Sequence, residues 1–343
     1  MKNRILPRAL FLTVVLVLFA VGAVLAWFQS WKSGRLVELD AGSQLAQLPA
    51  GTMEFTRLGD GPAVLVFHDA LGGYDQGVAL AGFLADQGFE VLIPSRPGYL
   101  RTPLPTGLTP EDQADAAAQL LDSLAIANVS VLGFGWGGPT ALEFARRFSQ
   151  RTQALVFVGA AVARENPPPT PLTPFPEAVS TALTGDVGSW LFVKLSESRP
   201  ARALSAAYAL TSTGGAVTRE AWTDLVLSNP EQLEHFREII LSLAPIDPRE
   251  SGLRNDLLQI RALPDIPLKD VATPVLLVHG GLDKAISIAP IEAAQSQFPN
   301  AELLLLPDEG HLVFLGRSAA IARARITDFL KKHTAAIDES ATE

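Results

Sequence analysis

Short runs of apolar residues, each bounded by turn-forming residues, recur along the chain and predict its fold. Runs that are apolar on both faces are typical of central strands in a parallel sheet that helices cover on each side. Two further segments, 35–40 and 52–58, are predicted as short edge strands. The predicted central strands are 63–67, 91–93, 129–132, 154–158, 275–278 and 303–306.

Helical patterns lie between these runs. Thr109 can cap a helix that has Pro110 at its first position, and apolar residues then recur at helical spacing through 117–124. A last helix is predicted over 318–332, where apolar residues again share one face. Alternation of strands and helices predicts right-handed crossover units and a mostly parallel, doubly wound α/β sheet.

The alternation stops between about residues 162 and 268. Six prolines between Pro167 and Pro176 indicate an irregular connection. We interpret the region as an inserted helical cap, or lid, over the carboxyl-terminal edge of the sheet, where open α/β sheets bind ligands. Its predicted helices, rich in alanine and leucine, are 177–183, 202–209, 219–227 and 231–243.

An uncharged stretch of 20 residues, 9–28, precedes the predicted sheet. A helix of this length spans the roughly 30 Å hydrocarbon core of a bilayer. Lys2, Arg4 and Arg8 precede it, and this basic bias predicts a single-pass anchor with the α/β domain on the non-cytoplasmic side. The alternative is a signal peptide cleaved near Ala26, which would give a secreted protein. Both interpretations export the domain.

These features divide the chain into predicted segments. They are a membrane anchor and linker (1–34), the first part of the α/β core (35–162), the cap (163–268), the second part of the core (269–334) and a tail (335–343).

Composition argues against several classes of function. The net charge is −9, which argues against nucleic-acid binding because phosphate contacts need clustered cations. The chain has no cysteine, which excludes disulfides, thiolate metal sites and a cysteine nucleophile. No residue spacing indicates a metal site and no glycine-rich loop indicates nucleotide binding, so no cofactor is predicted.

The most informative motif is the glycine-rich turn 133–138, Gly-Phe-Gly-Trp-Gly-Gly. It follows the predicted strand 129–132 and precedes a helical pattern that begins near Pro139. A G-x-S-x-G nucleophile elbow occupies this kind of strand–turn–helix junction and has serine at its centre. Here the central residue is Gly135.

Five motifs in order along the chain resemble those of the α/β-hydrolase fold family with a helical cap, over residues 62–332. The segment 67–73 resembles the family's His-Gly oxyanion loop, and 95–102 resembles the loop after the next strand. The turn 133–138 resembles the nucleophile elbow, 280–283 the turn that carries the acid, and 309–311 the turn that carries the histidine. The resemblance implies the fold of that family and a serine-hydrolase type of active site.

The resemblance implies a role for each matching residue. Asp283 and His311 match the acid and the base of the triad, whereas Gly135 stands where the serine nucleophile is expected and has no hydroxyl. The backbone N–H groups of Ala70 and Trp136 match the two donors that stabilise an oxyanion.

A second departure from the family pattern is Asp69, which stands at the glycine position of the oxyanion loop. If its side chain points inward, it opposes the stabilisation of negative charge in the oxyanion hole. If it points outward, the hole survives. The sequence leaves both alternatives open.

Several further residues are candidates for lining the site, and each also has a purely structural interpretation. They are His68, Asp69, Phe134 and His279, with Glu165 as a weaker candidate acid. Ser95, Ser130 and Thr140 are interpreted as structural hydroxyls rather than replacement nucleophiles, because a nucleophile must lie within hydrogen-bond reach of its base.

Three hypotheses about function remain open. The chain is a hydrolase, esterase-like by resemblance, in which His311 activates water directly; or a non-catalytic module that binds an apolar or ester-like ligand or a protein partner; or a cofactor-free, non-hydrolytic enzyme that uses the His–Asp base. Restoring serine with Gly135→Ser tests whether the rest of the machinery is intact.

Overall fold

The computed structural model describes residues 5–163, 185–264 and 266–340, and describes side chains from residue 10 to residue 334 within those ranges. Glu165 and the predicted helix 177–183 lie outside the described residues. Two units are described separately, Met1–Gly42 and Ser43–Glu343.

The first unit is one long helix, α1 (Ile5–Ala41). Its segment Leu10–Ala41 has an 18-residue window of mean hydropathy 2.7, which makes it long and apolar enough to cross a membrane. The edge strand predicted over 35–40 is wrong, because the helix continues through these residues to Ala41. Arg35 and Glu38 pair one helical turn apart, a spacing that suits a helix and not a strand.

The second unit is built on an eight-stranded sheet whose order is β1-β2-β4-β3-β5-β6-β7-β8. The pairs β1–β2 and β2–β4 are antiparallel, and all other neighbours are parallel. The strands are β1 (Gln44–Leu48), β2 (Gly51–Leu58), β3 (Ala63–Phe67), β4 (Glu90–Pro94), β5 (Val129–Phe134), β6 (Thr152–Val158), β7 (Val275–Gly280) and β8 (Ala301–Leu306). The six predicted central strands are therefore present, and they lie next to one another in the sheet.

Helices cover the sheet and close its core. Side chains that alternate between the two faces of β3, such as Val64, Leu65 and Val66, are all fully buried, as expected of a strand covered on each side. The helices outside the cap are α2 (Tyr74–Ala81), α3 (Pro110–Ser123), α4 (Gly138–Arg147), α10 (Ile288–Gln295) and α11 (Ala319–Ser340).

The ends of two of these helices bear on the predictions. At the start of α3, the Thr109 hydroxyl accepts from the Asp112 N–H while the Asp112 carboxylate accepts from the Thr109 N–H, which satisfies two otherwise unpaired donors. The last helix extends beyond the predicted 318–332 and continues to Ser340, through most of the predicted tail.

The cap consists of five helices in the described residues, and three of them match predicted segments. These are the helices Pro200–Thr211, Ala216–Leu227 and Pro230–Leu241. The other two, Asp186–Ser198 and Glu250–Ala262, lie outside the predicted segments, because the first has a glycine near its start and the second is largely polar. The bounds are α5 (Asp186–Ser198), α6 (Pro200–Thr211), α7 (Ala216–Leu227), α8 (Pro230–Leu241) and α9 (Glu250–Ala262).

Buried ion pairs attach the end of the cap to the core. Arg96, in the loop after β4, forms a bidentate pair with Asp256 of α9 at 2.8 and 2.5 Å. Arg249, just before α9, pairs with Asp75 of α2 at 3.0 and 2.9 Å. Both guanidinium groups are at most 1% exposed, so each needs its carboxylate partner to remain charged in the interior.

Candidate active site

Sheet register brings the two unusual positions of the sequence together. Strands β3 and β5 are parallel neighbours in which Phe67 pairs with Gly133. Asp69 and Gly135 each lie two residues beyond this pair, so they leave the same edge of the sheet side by side. Adjacent strand ends at this edge are where α/β folds place reactive groups.

Gly135 adopts a backbone conformation with φ +48°, in the region that favours glycine. A Cβ atom added at this position would overlap the carboxylate of Asp69. The Asp69 side chain therefore points inward and fills the space that a serine side chain at position 135 would need. Of the two alternatives for Asp69, the structure shows the inward one.

The Asp69 carboxylate joins the two groups that the sequence assigns to catalysis. Its Oδ1 accepts hydrogen bonds from the N–H groups of Ala70 and Trp136, both at 2.7 Å. Its Oδ2 lies 3.2 Å from His311 Nε2. The predicted oxyanion donors thus converge on one point, and that point is occupied by an oxygen of the protein itself.

His311 and Asp283 form the other half of the site. His311 Nδ1 lies 2.8 Å from Asp283 Oδ2, while Asp283 Oδ1 accepts from the N–H groups of Ala285 and Ile286 at 2.7 and 3.0 Å. The Asp283 side chain is fully buried, so these bonds fix the carboxylate and, through it, the orientation of the imidazole.

Gly159 provides room for this pair. It follows β6 with φ +50°, and a Cβ atom there would lie 3.3 Å from His311 Nδ1 and 3.5 Å from Asp283 Oδ2. A larger residue would therefore be strained and would crowd the imidazole. The sequence motifs did not identify this position.

The cap contacts the turn that carries Asp283. The Thr213 N–H donates to the Leu282 carbonyl at 2.8 Å, and the Lys284 N–H donates to the Thr211 carbonyl at 3.1 Å. These backbone hydrogen bonds tie the end of α6 to the acid turn.

Two carboxylates flank the imidazole and control its charge. Burial alone would lower the pKa of His311, but the charge of Asp283 and the hydrogen bonds to Asp283 and Asp69 outweigh it and hold that pKa well above its ordinary value. Burial would likewise raise the pKa of Asp69, yet the hydrogen bond and charge of His311 lower it overall. Both shifts favour the ionised pair, an imidazolium of His311 beside the carboxylate of Asp69.

The other predicted site-lining residues lie around this centre in structural roles. The His68 ring is buried; its Nε2 accepts from the Arg96 N–H at 2.9 Å, so its Nδ1 carries the proton and donates to the Asp69 carbonyl at 2.7 Å. Burial and the charge of Arg96 hold its pKa well below the ordinary value, so it stays neutral. The Phe134 ring packs against that of Phe314, 6.0 Å away.

His279 is also buried and lies behind Asp283. Its Nε2 donates to the Ile286 carbonyl at 3.1 Å and lies 3.8 Å from Asp283 Oδ2. Burial lowers its pKa overall, so it supports the acid turn as a neutral group.

The hydroxyls considered as replacement nucleophiles have other surroundings. Thr140 donates to Gln113 Oε1 at 2.9 Å, and Ser95 donates to Glu54 Oε2 at 2.8 Å. The Ser130 hydroxyl is buried and without a hydrogen-bond partner among the described atoms. In the part of the chain that the structure describes, the hydrogen bonds of the His311 ring go to Asp283 and Asp69.

Sequence reasoning named Asp69, Gly135, Asp283 and His311, but it did not identify Gly159 or the contacts that Asp69 makes. The sequence did contain a signal for these contacts. Asp69 and Gly135 both depart from the family motifs, and sheet register places the two positions side by side. A residue without a side chain and a neighbour with a carboxylate are complementary in space.

Across the described ranges, no group of three or more His, Asp and Glu side chains is arranged to hold a metal ion.

Comparisons with known proteins agree with this architecture. A family model described as alpha/beta hydrolase fold matches residues 62–318. The chain is 26% identical to an uncharacterized hydrolase, YcgS, of Bacillus subtilis over 82% of this chain and 95% of the relative. It is 30% identical to a pimeloyl-[acyl-carrier protein] methyl ester esterase of Aromatoleum aromaticum, over 66% of this chain and 82% of the relative.

Solved structures resemble it as well. An alpha/beta hydrolase fold protein from Nakamurella multipartita superposes with a TM-score of 0.77 at 28% identity, covering 84% of this chain and 98% of that one. A thermophilic esterase from Thermogutta terrifontis superposes with a TM-score of 0.57 at 23% identity, covering 85% and 99% of the two chains, which is a likeness of fold.

Proposed function

The chain belongs to the α/β-hydrolase fold family, and from that premise we propose that it is a hydrolase that adds water to its substrate without forming an ester on a serine. One observation carries the proposal. The carboxylate of Asp69 bridges the N–H pair of Ala70 and Trp136 and the imidazole of His311, in the space where a serine at position 135 would stand.

Each residue of the centre has a distinct role in this proposal. His311 transfers protons to and from the substrate and water, and Asp283 fixes its orientation and stabilises its charged form. The N–H groups of Ala70 and Trp136 hold the Asp69 carboxylate beside the imidazole. Gly135 supplies only the turn, because it has no side chain with which to react.

The relatives support the class of reaction rather than the substrate. One curated relative is described as a hydrolase and another as a methyl ester esterase. Bond cleavage by water is common to both descriptions. We propose an apolar or ester-like small molecule as the ligand, because the cap segments are rich in alanine and leucine.

Turnover across a panel of esters, lactones and epoxides tests this function. We expect the wild-type protein to consume at least one class, with a loss of about 10²–10⁴-fold in His311→Ala. A fluorophosphonate probe should leave the protein unlabelled, because no serine is activated. Labelling of a serine would contradict the proposal. Product identification by mass spectrometry would separate hydrolysis from non-hydrolytic chemistry at the same base.

A binding-only role is the second candidate, and one observation favours it. Both oxyanion donors are already satisfied by Asp69, so the centre is complete without a substrate. Absence of turnover over the whole panel, together with calorimetric binding of one of its members, would support this role and would end the proposal of an enzyme.

The location of the protein follows from α1. We propose that this helix anchors the chain in a membrane with the α/β domain on the non-cytoplasmic side, and that cleavage near Ala26 is the competing fate. The length and hydropathy of Leu10–Ala41 and the preceding basic residues support the anchor.

A further inference from the structure

One segment of the cap contacts both turns that carry the pair of Asp283 and His311. Helix α6 ends at Thr211, and the chain is extended at Ser212, with φ −137° and ψ +149°. Backbone groups beyond the end of a helix need partners outside that helix. Those of the cap segment 211–213 find them in the two turns of the core.

The cap segment 211–213 pairs with the acid turn as a short antiparallel strand would. Ser212 stands opposite Asp283 in an isolated β-bridge. On one side of this bridge, the Thr213 N–H donates to the Leu282 carbonyl at 2.8 Å. Asp283 lies beyond the end of β7, where the hydrogen-bond ladder of the sheet has stopped. The cap therefore supplies strand-like pairing at the acid.

On the other side of the bridge, the Thr211 carbonyl joins the acid turn to the histidine turn. It accepts from the Lys284 N–H at 3.1 Å and from the His311 N–H at 3.4 Å. The first donor belongs to the residue after Asp283, and the second belongs to the residue that carries the imidazole. One carbonyl of the cap thus bridges the backbones of the two turns.

Contacts within the core fix the acid turn more fully than the histidine. The Asp283 N–H donates to the Gly280 carbonyl at 3.1 Å. The Leu282 N–H donates to the Glu309 carbonyl of the histidine turn at 2.8 Å. In the part of the chain that the structure describes, the acceptor for the backbone N–H of His311 belongs to the cap.

Gly310, the residue before His311, lets the cap segment approach this closely. A Cβ atom added at Gly310 would lie 2.7 Å from the Cβ of Ser212, whereas the next atoms it would meet lie at 3.6 Å, an ordinary contact distance. Ser212 is 3% exposed, so its side chain is enclosed where the glycine leaves room. The cap and the histidine turn are therefore complementary in shape at this point.

We propose that the cap segment 211–213 is a positioning element for Asp283 and His311, which are aligned only while this end of the cap is seated on the core. The segment acts through the backbone of the two turns. Its effect on turnover rests on the proposed hydrolase function, whereas its effect on the hydrogen bond between the two side chains does not.

The hydrogen bond between His311 Nδ1 and Asp283 Oδ2, 2.8 Å long, reports on this alignment. The carboxylate is held by N–H groups of its own turn, whereas the imidazole moves with the backbone of His311. A displaced backbone would lengthen or bend the bond, and hydrogen bonds weaken steeply with poor geometry. Misplacement of a reacting group by about 1 Å can lower a rate about 10²-fold.

Gly310→Ala tests the proposal, because it adds one methyl group between the cap and His311. The backbone of Gly310 is not in the left-handed region, so alanine fits its conformation. The measurement is the far-downfield proton resonance of His311 Nδ1, recorded at low temperature with ¹⁵N-labelled histidine and assigned by its loss in His311→Ala. We expect Gly310→Ala to shift this resonance upfield or abolish it. A wild type without the resonance would contradict the bond on which the proposal depends.

Turnover gives a second readout on the best substrate of the panel. We expect kcat to fall about 10–10²-fold in Gly310→Ala, with KM little changed, because the base is displaced while the ligand site remains. Wild-type resonance and kcat in folded Gly310→Ala would overturn the proposal. Absence of turnover in the wild type would end the proposed function and leave the resonance to decide this inference.

Ser212→Gly removes the atom that the new methyl group would strike and completes a double-mutant cycle. In the Ser212→Gly background, we expect Gly310→Ala to leave the resonance and kcat at the values of Ser212→Gly alone. An equal effect of Gly310→Ala in both backgrounds would show that the methyl group acts on His311 directly. That result would overturn the role of the cap segment.

Gly215→Ala is the matched control. It adds the same methyl group four residues after Thr211, at a position with φ −66° and no atom within 4 Å of the new Cβ. We expect the resonance and kcat of the wild type. Loss of the resonance here would show that any change in this part of the cap disturbs His311, which would contradict a specific role for the contact with Gly310.

Thr213→Pro replaces Gly310→Ala if that variant does not fold. It removes the N–H that donates to Leu282, and the extended backbone of Ser212 suits a residue before proline. We expect a larger loss of the His311 resonance than in Thr213→Val, which keeps the N–H. Equal spectra of the two variants would overturn the proposal.

Discussion

At the centre of the site, the Asp69 carboxylate fills the space that a side chain at position 135 would need. The carboxylate occupies it because Gly135 has no Cβ atom, and the carboxylate is held there by the N–H groups of Ala70 and Trp136. Asp69 is incompatible with a serine at position 135, because the serine Cβ atom would overlap the carboxylate. The identity of position 135 therefore has to be interpreted together with that of position 69.

This steric conflict limits what the single variant Gly135→Ser can show. Gly135→Ser alone places a side chain against the Asp69 carboxylate, at a backbone φ that disfavours non-glycine residues. We expect destabilisation of about 1–3 kcal/mol and no serine activity.

Asp69→Gly combined with Gly135→Ser vacates the space, and we expect a serine that a fluorophosphonate labels. Asp69→Gly alone is the control and should remain unlabelled. Equal labelling of the single and double serine variants would refute shared occupancy.

The ion pair of Asp69 and His311 also predicts how stability depends on pH. The raised pKa of His311 gives stabilisation that is complete below its unfolded value of about 6.5 and is lost as pH rises through the higher folded value. The lowered pKa of Asp69 gives stabilisation that is complete above its unfolded value of about 3.9 and is lost as pH falls through the lower folded value.

We therefore expect the difference in Tm between wild type and Asp69→Asn to be largest between about pH 4 and 6.5 and to shrink towards alkaline pH. Scanning calorimetry at several pH values measures it. A difference that grows from pH 7 to pH 9 would contradict the charges assigned to the two residues.

At the scale of secondary structure, the predictions succeeded where one local rule decides the outcome. Runs apolar on both faces became the six central strands, and Thr109 begins α3 through its capping hydrogen bonds. The segment 35–40 was predicted as a short strand from its own residues, but it continues the long helix α1 that precedes it. The contacts of Asp69 depend on the register of β3 and β5, in which Phe67 pairs with Gly133, 66 positions further along the chain; periodicity within one element does not define this register.

The ion pairs that attach the cap were also outside the reach of sequence patterns, because their partners are distant in the chain. Arg96 and Asp256 are 160 residues apart, and both side chains are at most 6% exposed. The Tyr99 hydroxyl donates to the same carboxylate at 2.5 Å. The charges are thus fully paired, and the loop after β4 is joined to α9.

Asp256→Asn should be strongly destabilising, because it leaves the buried Arg96 guanidinium without its counterion. We expect a loss of about 3–5 kcal/mol in the free energy of unfolding. Asp115→Asn removes the carboxylate of an exposed pair with Arg147 and is the matched control, for which we expect less than about 1 kcal/mol. Similar denaturation midpoints for the two variants would show that the cap does not depend on the buried pair.

At the scale of the whole molecule, the apolar helix α1 and the acidic α/β domain predict where the protein is found. Full-length protein should remain with membranes after alkaline carbonate extraction, whereas a chain beginning at Ser43 should be recovered in the soluble fraction. Immunoblotting of the fractions measures both. A full-length protein released by carbonate, or a mature N-terminus close to residue 27, would favour cleavage of a signal peptide.

The central claim, that the Asp69 carboxylate stands beside the His311 imidazole where a serine side chain is expected, is tested most directly by the ionisation of His311. The chain has five histidines, so ¹³C-labelled histidine gives an NMR spectrum in which His311→Ala identifies the signal. We predict an imidazolium at neutral pH in the wild type and a clear fall in the pKa of His311 in Asp69→Asn, because Asp69 contributes to its elevation. A neutral His311 at pH 7, or a pKa that Asp69→Asn leaves unchanged, would contradict the account.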